Sequence, residues 1–146
     1  MIADTYIVNV EGAIVKDGRY LLVVRGTEEY APGGLCYPGG KVEGASSAGD
    51  VLEATLRREI AEEVGLEVHD EMVYLRSSAF LAEGEPVVDV VFLCRWQSGE
   101  AIAADPAEVA AVRWMTAAEA IAHPKTPLWT RLALELAEQA RLERGW

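Results

Sequence analysis

The sequence predicts one domain of the mixed α/β or α+β class, spanning residues 1–146. Apolar segments of strand length alternate with stretches of helix length along the whole chain, and no repeat or long linker separates them into two halves. The length of 146 residues suits a single domain, and 51% apolar residues supply the material for a core.

The first forty residues predict a hairpin followed by a loop. The apolar runs 6–15 and 20–24 flank a turn at 16–18, a pattern typical of two antiparallel strands. Gly and Pro residues crowd positions 26–40, so we expect irregular backbone there, apart from a short extended piece at 35–37.

A helix is predicted over residues 50–64. This segment contains neither Gly nor Pro, and Asp50 is of a residue type that favours the N-cap position. Gly65 follows at the position where glycine commonly ends a helix.

The second half of the chain predicts three strands and two helices. The segments 71–81, 87–96 and 109–115 are rich in valine or other apolar residues and are typical of strands. Residues 116–121 have the pattern of a short capped helix, and 127–144 form a final helix opened by a proline.

One apolar stripe predicts which face of this final helix packs on the sheet. Its members recur every four residues: Leu128, Leu132, Leu136 and Ala140. Trp129 lies beside them, and we expect it to be in the core.

Charge and cysteine usage restrict the class of protein. The chain has 13 Lys and Arg against 24 Asp and Glu, which gives a net charge of −11. We therefore expect no binding to a nucleic-acid polymer or an anionic membrane, and an anionic substrate would need a bridging cation. Cys36 and Cys94 provide no disulfide framework, and no signal peptide or membrane span is evident, so we expect a cytoplasmic protein.

Three glutamates of the predicted helix, Glu59, Glu62 and Glu63, are spaced three and four positions apart. Their carboxylates therefore share one helix face, where each like-charged pair costs roughly a few tenths of a kcal/mol. A divalent cation would relieve this repulsion, and oxygen ligands select Mg²⁺, with Mn²⁺ as the alternative. The plainer interpretation is a hydrated helix face compensated by Arg57 and Arg58. Two glycines just upstream favour the cation, because a glycine backbone can approach a ligand closely.

Two segments together resemble the Nudix box of the Nudix hydrolases. They are residues 38–43, Pro-Gly-Gly-Lys-Val-Glu, and residues 58–66, Arg-Glu-Ile-Ala-Glu-Glu-Val-Gly-Leu. The flanking order is similar too, with a hairpin before the box, a strand after it, and Arg-Trp-Met at 113–115 followed by a helix. The resemblance implies a Nudix-type α/β/α sandwich, in which a mixed β-sheet lies between helices.

The chain departs from the usual box in two places. Four extra residues follow Glu43, and Asp50 stands where the family usually has glutamate. In the family that glutamate pairs with the arginine matched by Arg58, so we expect a weaker or water-bridged pair here. A second register, beginning at Gly44, restores the usual spacing but leaves the two upstream glycines without their role. We prefer the insertion.

The resemblance implies metal-assisted attack of water on phosphorus in a nucleoside diphosphate linked to another group. A nucleoside triphosphate is the default substrate. The metal ligands implied are Glu59, Glu62, Glu63 and the backbone carbonyl of Gly39, with Arg58 completing the catalytic set. Glu59 or Glu63 could act as the general base instead, and the sequence leaves that choice open.

The resemblance also implies contacts with substrate. Gly40, Lys41 and Glu43 belong to the first box segment, where Lys41 would meet a phosphate as a point charge. Arg25 resembles a family arginine that faces substrate, and Glu108 lies where a further metal ligand often occurs. Solvated surface positions remain the alternative for Lys41, Arg25 and Glu108.

The identity of the substrate stays open at this point. Tyr30 and Tyr37, beside the glycine-rich loop, are the candidates for stacking on a base. Residues 81–83 contain neither the proline nor the tyrosine that marks two known subfamilies. A catalytically impaired Nudix-fold module that binds nucleotides is the alternative function, and homodimerisation stays open.

Overall fold

The computed structural model describes residues 5–27, 29, 31–44 and 48–146. In chain order, its strands and helices are β1 (Ile7–Lys16), β2 (Arg19–Arg25), β3 (Leu35–Cys36), β4 (Gly39–Lys41), α1 (Val51–Val64), β5 (Glu67–Ala82), β6 (Glu85–Ser98), β7 (Val109–Thr116), α2 (Ala117–Ala122) and α3 (Leu128–Arg144).

The strands form one mixed sheet in the order β3-β2-β1-β6-β5. β1 pairs in parallel with β6, whereas β1 with β2 and β5 with β6 are antiparallel pairs. β4 joins β1 and β7 joins β2, both antiparallel. Asp17 and Gly18 form the turn between β1 and β2, and their φ angles of 49° and 74° suit a two-residue hairpin. The predicted hairpin is confirmed.

Helices pack on both faces of this sheet, as the sandwich requires. On one face Ile60 of α1 lies in a core cluster with Ile14 of β1. On the other face Leu134 of α3 lies in a cluster with Ala13. Consecutive β1 side chains enter different clusters because strand side chains alternate between faces. In the described part of the chain, none of the helices is long and apolar enough to cross a bilayer.

The prediction of an irregular glycine-rich loop is wrong at its end. Gly39–Lys41 form strand β4, in which Gly39 lies opposite Glu11 of β1. A Cβ atom on Gly39 would lie 2.0 Å from the carbonyl oxygen of Val10, so only glycine permits this approach. Here glycine allows close strand pairing instead of a turn.

The predicted packing face of α3 is also wrong. The buried residues are Thr130, Ala133, Leu134 and Ala137. The exposed fractions of Leu128, Leu132 and Leu136 are 59%, 38% and 38%, and Trp129 is 45% exposed. Two alanines let the helix approach the sheet closely, and the hydroxyl of Thr130 donates to the carbonyl of Leu35 at 3.0 Å. Ala140 alone of the predicted stripe packs partly against this core.

Two leucine truncations on α3 test this assignment of its faces. Leu134→Ala is expected to lower the free energy of unfolding by about 2–5 kcal/mol, because the fully buried side chain leaves a cavity. Leu132→Ala, on the exposed face, should cost less than about 1 kcal/mol. Urea denaturation measures both, and equal losses would contradict the assigned faces.

Candidate active site

The ten predicted site residues line two adjoining pockets beside α1. The larger one, the main cleft, has a volume of about 320 Å³ and is lined by Arg25, Gly39, Gly40, Lys41, Glu43, Glu59, Glu63 and Glu108. The smaller one, the helix pocket, has about 240 Å³ and adds Arg58 and Glu62. The two pockets are continuous, because Glu43, Glu59, Glu63 and Glu108 line both.

The packing of α1 orients its three glutamates. Ile60 and Val64 are fully buried against the sheet. Glu59, Glu62 and Glu63 alternate with them along the helix and lie on the neighbouring face, which borders the pockets. The apolar residues of the box thus fix the direction in which its carboxylates point.

The two glycines of β4 place the first and last of these carboxylates. A Cβ atom on Gly40 would lie 2.4 Å from Cδ of Glu59, so the glutamate side chain occupies the space that a larger residue would fill. The backbone N–H of Gly39 donates to Oε2 of Glu63 at 3.1 Å. Strand β4 and helix α1 are joined at these two points.

These contacts distinguish the two registers of the box. Gly44 has a φ of 81°, and a Cβ atom there would meet nothing within 4 Å. Gly39 and Gly40, by contrast, touch the carboxylates of the helix. The contacts favour Gly40 as the box glycine with an insertion after Glu43, although residues 45–47 of that insertion lie outside the described ranges.

Arg58 does not pair with Asp50 in the described part of the chain. Its Nη1 lies 3.0 Å from Oε1 of Glu59 and 3.4 Å from Oε2 of Glu62. Asp50 precedes α1 as expected, but it adopts a left-handed conformation with φ of 52°, and its side chain makes no capping hydrogen bond. The expected N-cap interaction of Asp50 is therefore wrong. The positive charge of Arg58 compensates Glu59 and Glu62 instead of Asp50.

Burial and mutual repulsion dominate the electrostatics of the site. Burial raises the pKa of the Glu63 carboxyl to about 7, and the hydrogen bond from Gly39 opposes this rise. The charges of Glu59 and Glu108 raise the pKa of Glu63 further. Burial also raises the pKa of Glu59, with Arg58 opposing. Negative charge at this site is thus unfavourable without a compensating cation.

In metal-free protein, the pH dependence of the free energy of unfolding should show the cost of this buried negative charge. Between the ordinary glutamate pKa of 4.5 and about 7, the folded state holds more protons on Glu63 than the unfolded state does. Stability is therefore expected to fall as the pH rises through this window, by about 3 kcal/mol in total. Urea unfolding in EDTA at pH 5 and pH 8 measures the loss, and Glu63→Gln should remove most of it. If Glu63→Gln lost as much stability between pH 5 and pH 8 as the wild-type protein does, the buried charge of Glu63 would not be the cause of the loss.

The donor chemistry of the site fits a hard divalent cation. The carboxylates of Glu59, Glu62 and Glu63 and the carbonyl of Gly39 are oxygen donors, which Mg²⁺ and Mn²⁺ prefer. Within the ranges described, no three His, Cys, Asp or Glu side chains already converge as a metal-binding group. Arg58 engages two of the glutamates and Gly39 the third, so these side chains must turn to bind an ion together.

Sequence reasoning missed three polar residues beside the main cleft, Asn9, Glu11 and Asp89. Asn9 of β1 lies opposite Asp89 of β6, and its Nδ2 donates to Oδ1 of Asp89 at 2.7 Å. Burial raises the pKa of both Glu11 and Asp89, and the two carboxyls are hydrogen-bonded to each other. The available signal was polar residues at alternate positions of otherwise apolar strands.

The two tyrosines proposed for base stacking have different outcomes. Tyr37 is buried, and its hydroxyl donates to the carbonyl of Thr130 at 2.7 Å. Its ring packs in the core beneath α3 and is not available to a base, so that prediction is wrong. Tyr30 lies outside the described residues.

Comparison with known families decides the classification. The family model of the NUDIX domain matches residues 7–136, from β1 into α3. The chain belongs to the Nudix family. The match includes both box segments and the strands and helices that position them. Among curated proteins, no sequence matches this Nudix chain.

Solved structures support the same family. The MutT NUDIX hydrolase of Burkholderia pseudomallei is 30% identical, with a TM-score of 0.76 over 91% of this chain and 98% of that chain. The ORF135 protein of E. coli is 26% identical, with a TM-score of 0.74 over 97% of this chain and 94% of that one. The MutT protein of Methanosarcina mazei Go1, at 21% identity and a TM-score of 0.74 over 97% and 99% of the two chains, shares the fold. The predicted family, mixed α/β fold and hydrolase class are confirmed.

Proposed function

We propose that this Nudix hydrolase cleaves a pyrophosphate linkage in a nucleoside triphosphate or a nucleoside diphosphate linked to another group, using Mg²⁺ or, alternatively, Mn²⁺. The observation that carries the proposal is that all ten residues predicted for catalysis, metal or substrate line two continuous pockets. A binding site for a charged diphosphate requires both cationic and metal-holding groups in one place, and these pockets contain both.

The glutamates of α1 are the proposed metal ligands. Glu59, Glu62 and Glu63, with the carbonyl of Gly39, would hold the cation, and Glu108 is a further candidate because it lines both pockets. When bound, a divalent cation would neutralise phosphate charge and activate water for attack on phosphorus.

A carboxylate of the same group would accept the proton from water. Burial raises the pKa of Glu63 to about 7, which suits a base that works near neutral pH. Glu59, whose pKa burial also raises, is the alternative. Arg58 would keep Glu59 and Glu62 oriented through its two ion pairs.

Positive side chains would bind the phosphates. Lys41 and Arg25 both line the main cleft, at the ends of β4 and β2. The Nε of Arg25 is buried and has no hydrogen-bond partner among the described residues. Gly40 and Glu43 also line the main cleft and would complete its substrate side. Because Gly40 has no side chain, the carboxylate of Glu59 can lie directly against it.

A nucleotide-binding module with impaired catalysis is the second candidate function. One observation favours it: in the described ranges the acidic side chains engage Arg58 and Gly39 instead of converging on one point. Such a module would bind a nucleotide tightly and leave it intact.

A substrate panel separates the two functions. Nucleoside triphosphates and diphosphate-linked nucleosides are incubated with the protein in Mg²⁺ or in EDTA, and phosphorus NMR identifies the products. We expect cleavage of at least one compound in Mg²⁺ and none in EDTA. Binding by calorimetry without cleavage over several hours would favour the binding module, and no metal-dependent product from any compound would overturn the proposed hydrolysis.

We further propose a cytoplasmic location, supported by the two cysteines. Cys36 and Cys94 are both free and buried. Burial raises the pKa of each thiol to about 12, so neither is reactive at neutral pH. Free thiols of this kind are typical of a reducing compartment, and fractionation of the expressing cells tests the location.

A further inference from the structure

Residues 35–38 connect the edge of the sheet to the two glycines of β4. β3 is a strand of two residues at the end of the sheet order. Tyr37 and Pro38 follow it directly, and Gly39 then begins β4. We call residues 35–38 the connecting segment. Because so short a stretch separates β3 from Gly39, a shift of β3 is passed on to the glycines of β4.

The start of α3 and the loop before it hold the connecting segment through hydrogen bonds. The backbone N–H of Leu35 donates to the carbonyl of Lys125 at 3.0 Å. The hydroxyl of Thr130 donates to the carbonyl of Leu35 at 3.0 Å. The hydroxyl of Tyr37 donates to the carbonyl of Thr130 at 2.7 Å. Thr130 thus binds the connecting segment both as a donor and as an acceptor.

Packing alone does not require these two hydroxyl groups. Thr130 and Tyr37 are both buried, and the other buried residues of α3 are Ala133, Leu134 and Ala137. Valine and phenylalanine have the same shapes as threonine and tyrosine and would bury no hydroxyl. The carbonyl of Thr130 also lies within α3, where the amide four residues further on is its regular donor. The effect of each hydroxyl is therefore to join α3 to the connecting segment.

The far end of the connecting segment is fixed as well. The backbone N–H of Gly12 donates to the carbonyl of Pro38 at 3.0 Å, and the ring of Pro38 restricts its own φ angle. The next residue is Gly39, whose N–H donates to Oε2 of Glu63 at 3.1 Å. Little conformational freedom remains between the tyrosine and this carboxylate, so a displacement at one end of the segment reaches the other.

We propose that Tyr37 and Thr130 are positioning residues for the metal site: their hydrogen bonds hold Gly39 and Gly40 against the glutamates of α1 and so set the affinity of the site for a divalent cation. Neither hydroxyl would touch the ion. In the part of the chain that the structure describes, Thr130 lines neither the main cleft nor the helix pocket, so its effect has to pass through the connecting segment. This inference rests on the proposed function, because it concerns the cation of that site.

The first test uses metal-free protein. In EDTA, hydrogen exchange of the Gly39 amide, followed by NMR, measures how firmly this N–H is bound to Glu63. Tyr37→Phe and Thr130→Val should each raise its exchange rate about tenfold, the effect of losing one buried hydrogen bond. Thr130→Ser retains a hydroxyl group, and its rate should stay within about twofold of wild type.

The matched control is Tyr20→Phe. Tyr20 is also buried, and its hydroxyl also donates to a residue of α3, to Oε2 of Glu138 at 3.0 Å. Tyr20 belongs to β2, and this hydrogen bond does not involve the connecting segment. A general loss of stability would accelerate exchange of Gly39 in Tyr20→Phe as much as in Tyr37→Phe. Positioning predicts a rate within about twofold of wild type for the control.

The second test measures the metal site itself. Mn²⁺ is titrated into each protein, and electron paramagnetic resonance detects the free ion. The Kd should be about tenfold higher for Tyr37→Phe and Thr130→Val than for wild type. Thr130→Ser and Tyr20→Phe should bind Mn²⁺ with a Kd within about twofold of wild type.

The outcomes separate this inference from the proposed function. If Tyr37→Phe or Thr130→Val keeps the wild-type Kd and exchange rate, or if Tyr20→Phe changes both equally, the inference fails even when the wild-type protein cleaves nucleotides. If both values change as expected but no compound of the panel is cleaved, the proposed hydrolysis fails and the positioning role stands. If the wild-type protein binds no Mn²⁺, the proposed metal site fails, and the exchange rates of Gly39 alone decide whether the two hydroxyls position this glycine.

Discussion

Replacing Glu62 and Glu63 together with glutamine is expected to lower kcat/KM at least about a thousandfold while the protein stays folded. Glutamine keeps the size of each side chain but removes its charge, so the proposed metal loses two anionic ligands. Loss of a single group that stabilises developing charge commonly costs about 10²–10³ in rate, and two such losses justify the larger value. The rate of cleavage of the best compound in the panel, at saturating Mg²⁺, measures the effect.

The matched control is a double variant with the same change in net charge. Glu53→Gln and Glu67→Gln remove two carboxylates that lie on α1 and β5 but line neither the main cleft nor the helix pocket. Its kcat/KM should stay within about twofold of wild type. Retention of more than about a tenth of the wild-type value by Glu62→Gln with Glu63→Gln would show that these glutamates are not the metal ligands.

Gly40→Ala is expected to lower kcat/KM about a hundredfold. The added Cβ atom would lie 2.4 Å from Cδ of Glu59, so the glutamate must leave its position between β4 and α1. A displacement of about 1 Å at a catalytic group is enough for a loss of this size. Single-turnover kinetics with the same substrate measure it, and circular dichroism checks that the fold is kept.

Gly49→Ala is the control for this substitution. Gly49 stands between the insertion and α1, its φ is not in the left-handed region, and a Cβ atom there would meet nothing within 4 Å. Wild-type activity is expected. If Gly40→Ala were also fully active, the role of Gly40 in placing Glu59 would be contradicted, and the register with the insertion after Glu43 would lose its support.

The box and the elements around it could be predicted because they depend on local chemistry. The spacing of Glu59, Glu62 and Glu63 follows from helical geometry alone, and the hairpin follows from a turn that requires residues tolerant of positive φ. The structure of the glycine-rich segment was harder to predict. The sequence marks Gly39 and Gly40 as special, but a loop, a turn and a close strand pairing all require glycine, and only the contact with Val10 decides among them.

The parts that could not be predicted depend on packing between distant segments. On α3 the leucine stripe has the stronger apolar pattern, yet the helix buries Ala133 and Ala137, because small residues allow it to approach the sheet. Glu11 and Asp89 are 78 positions apart in the sequence and meet only because β1 and β6 pair in parallel. No local sequence pattern predicts the pairing of these two strands.

A crystal structure of the protein with Mn²⁺ and a non-hydrolysable nucleoside diphosphate analogue tests most directly whether the glutamates of α1 bind a divalent cation against a diphosphate. The account predicts an anomalous difference peak coordinated by Glu59, Glu62 and Glu63, with a phosphate oxygen of the analogue on the same ion. Arg58 should then have released at least one of its two glutamate partners. Density for the analogue with no metal peak at these carboxylates, and with Arg58 still paired to both Glu59 and Glu62, would contradict it.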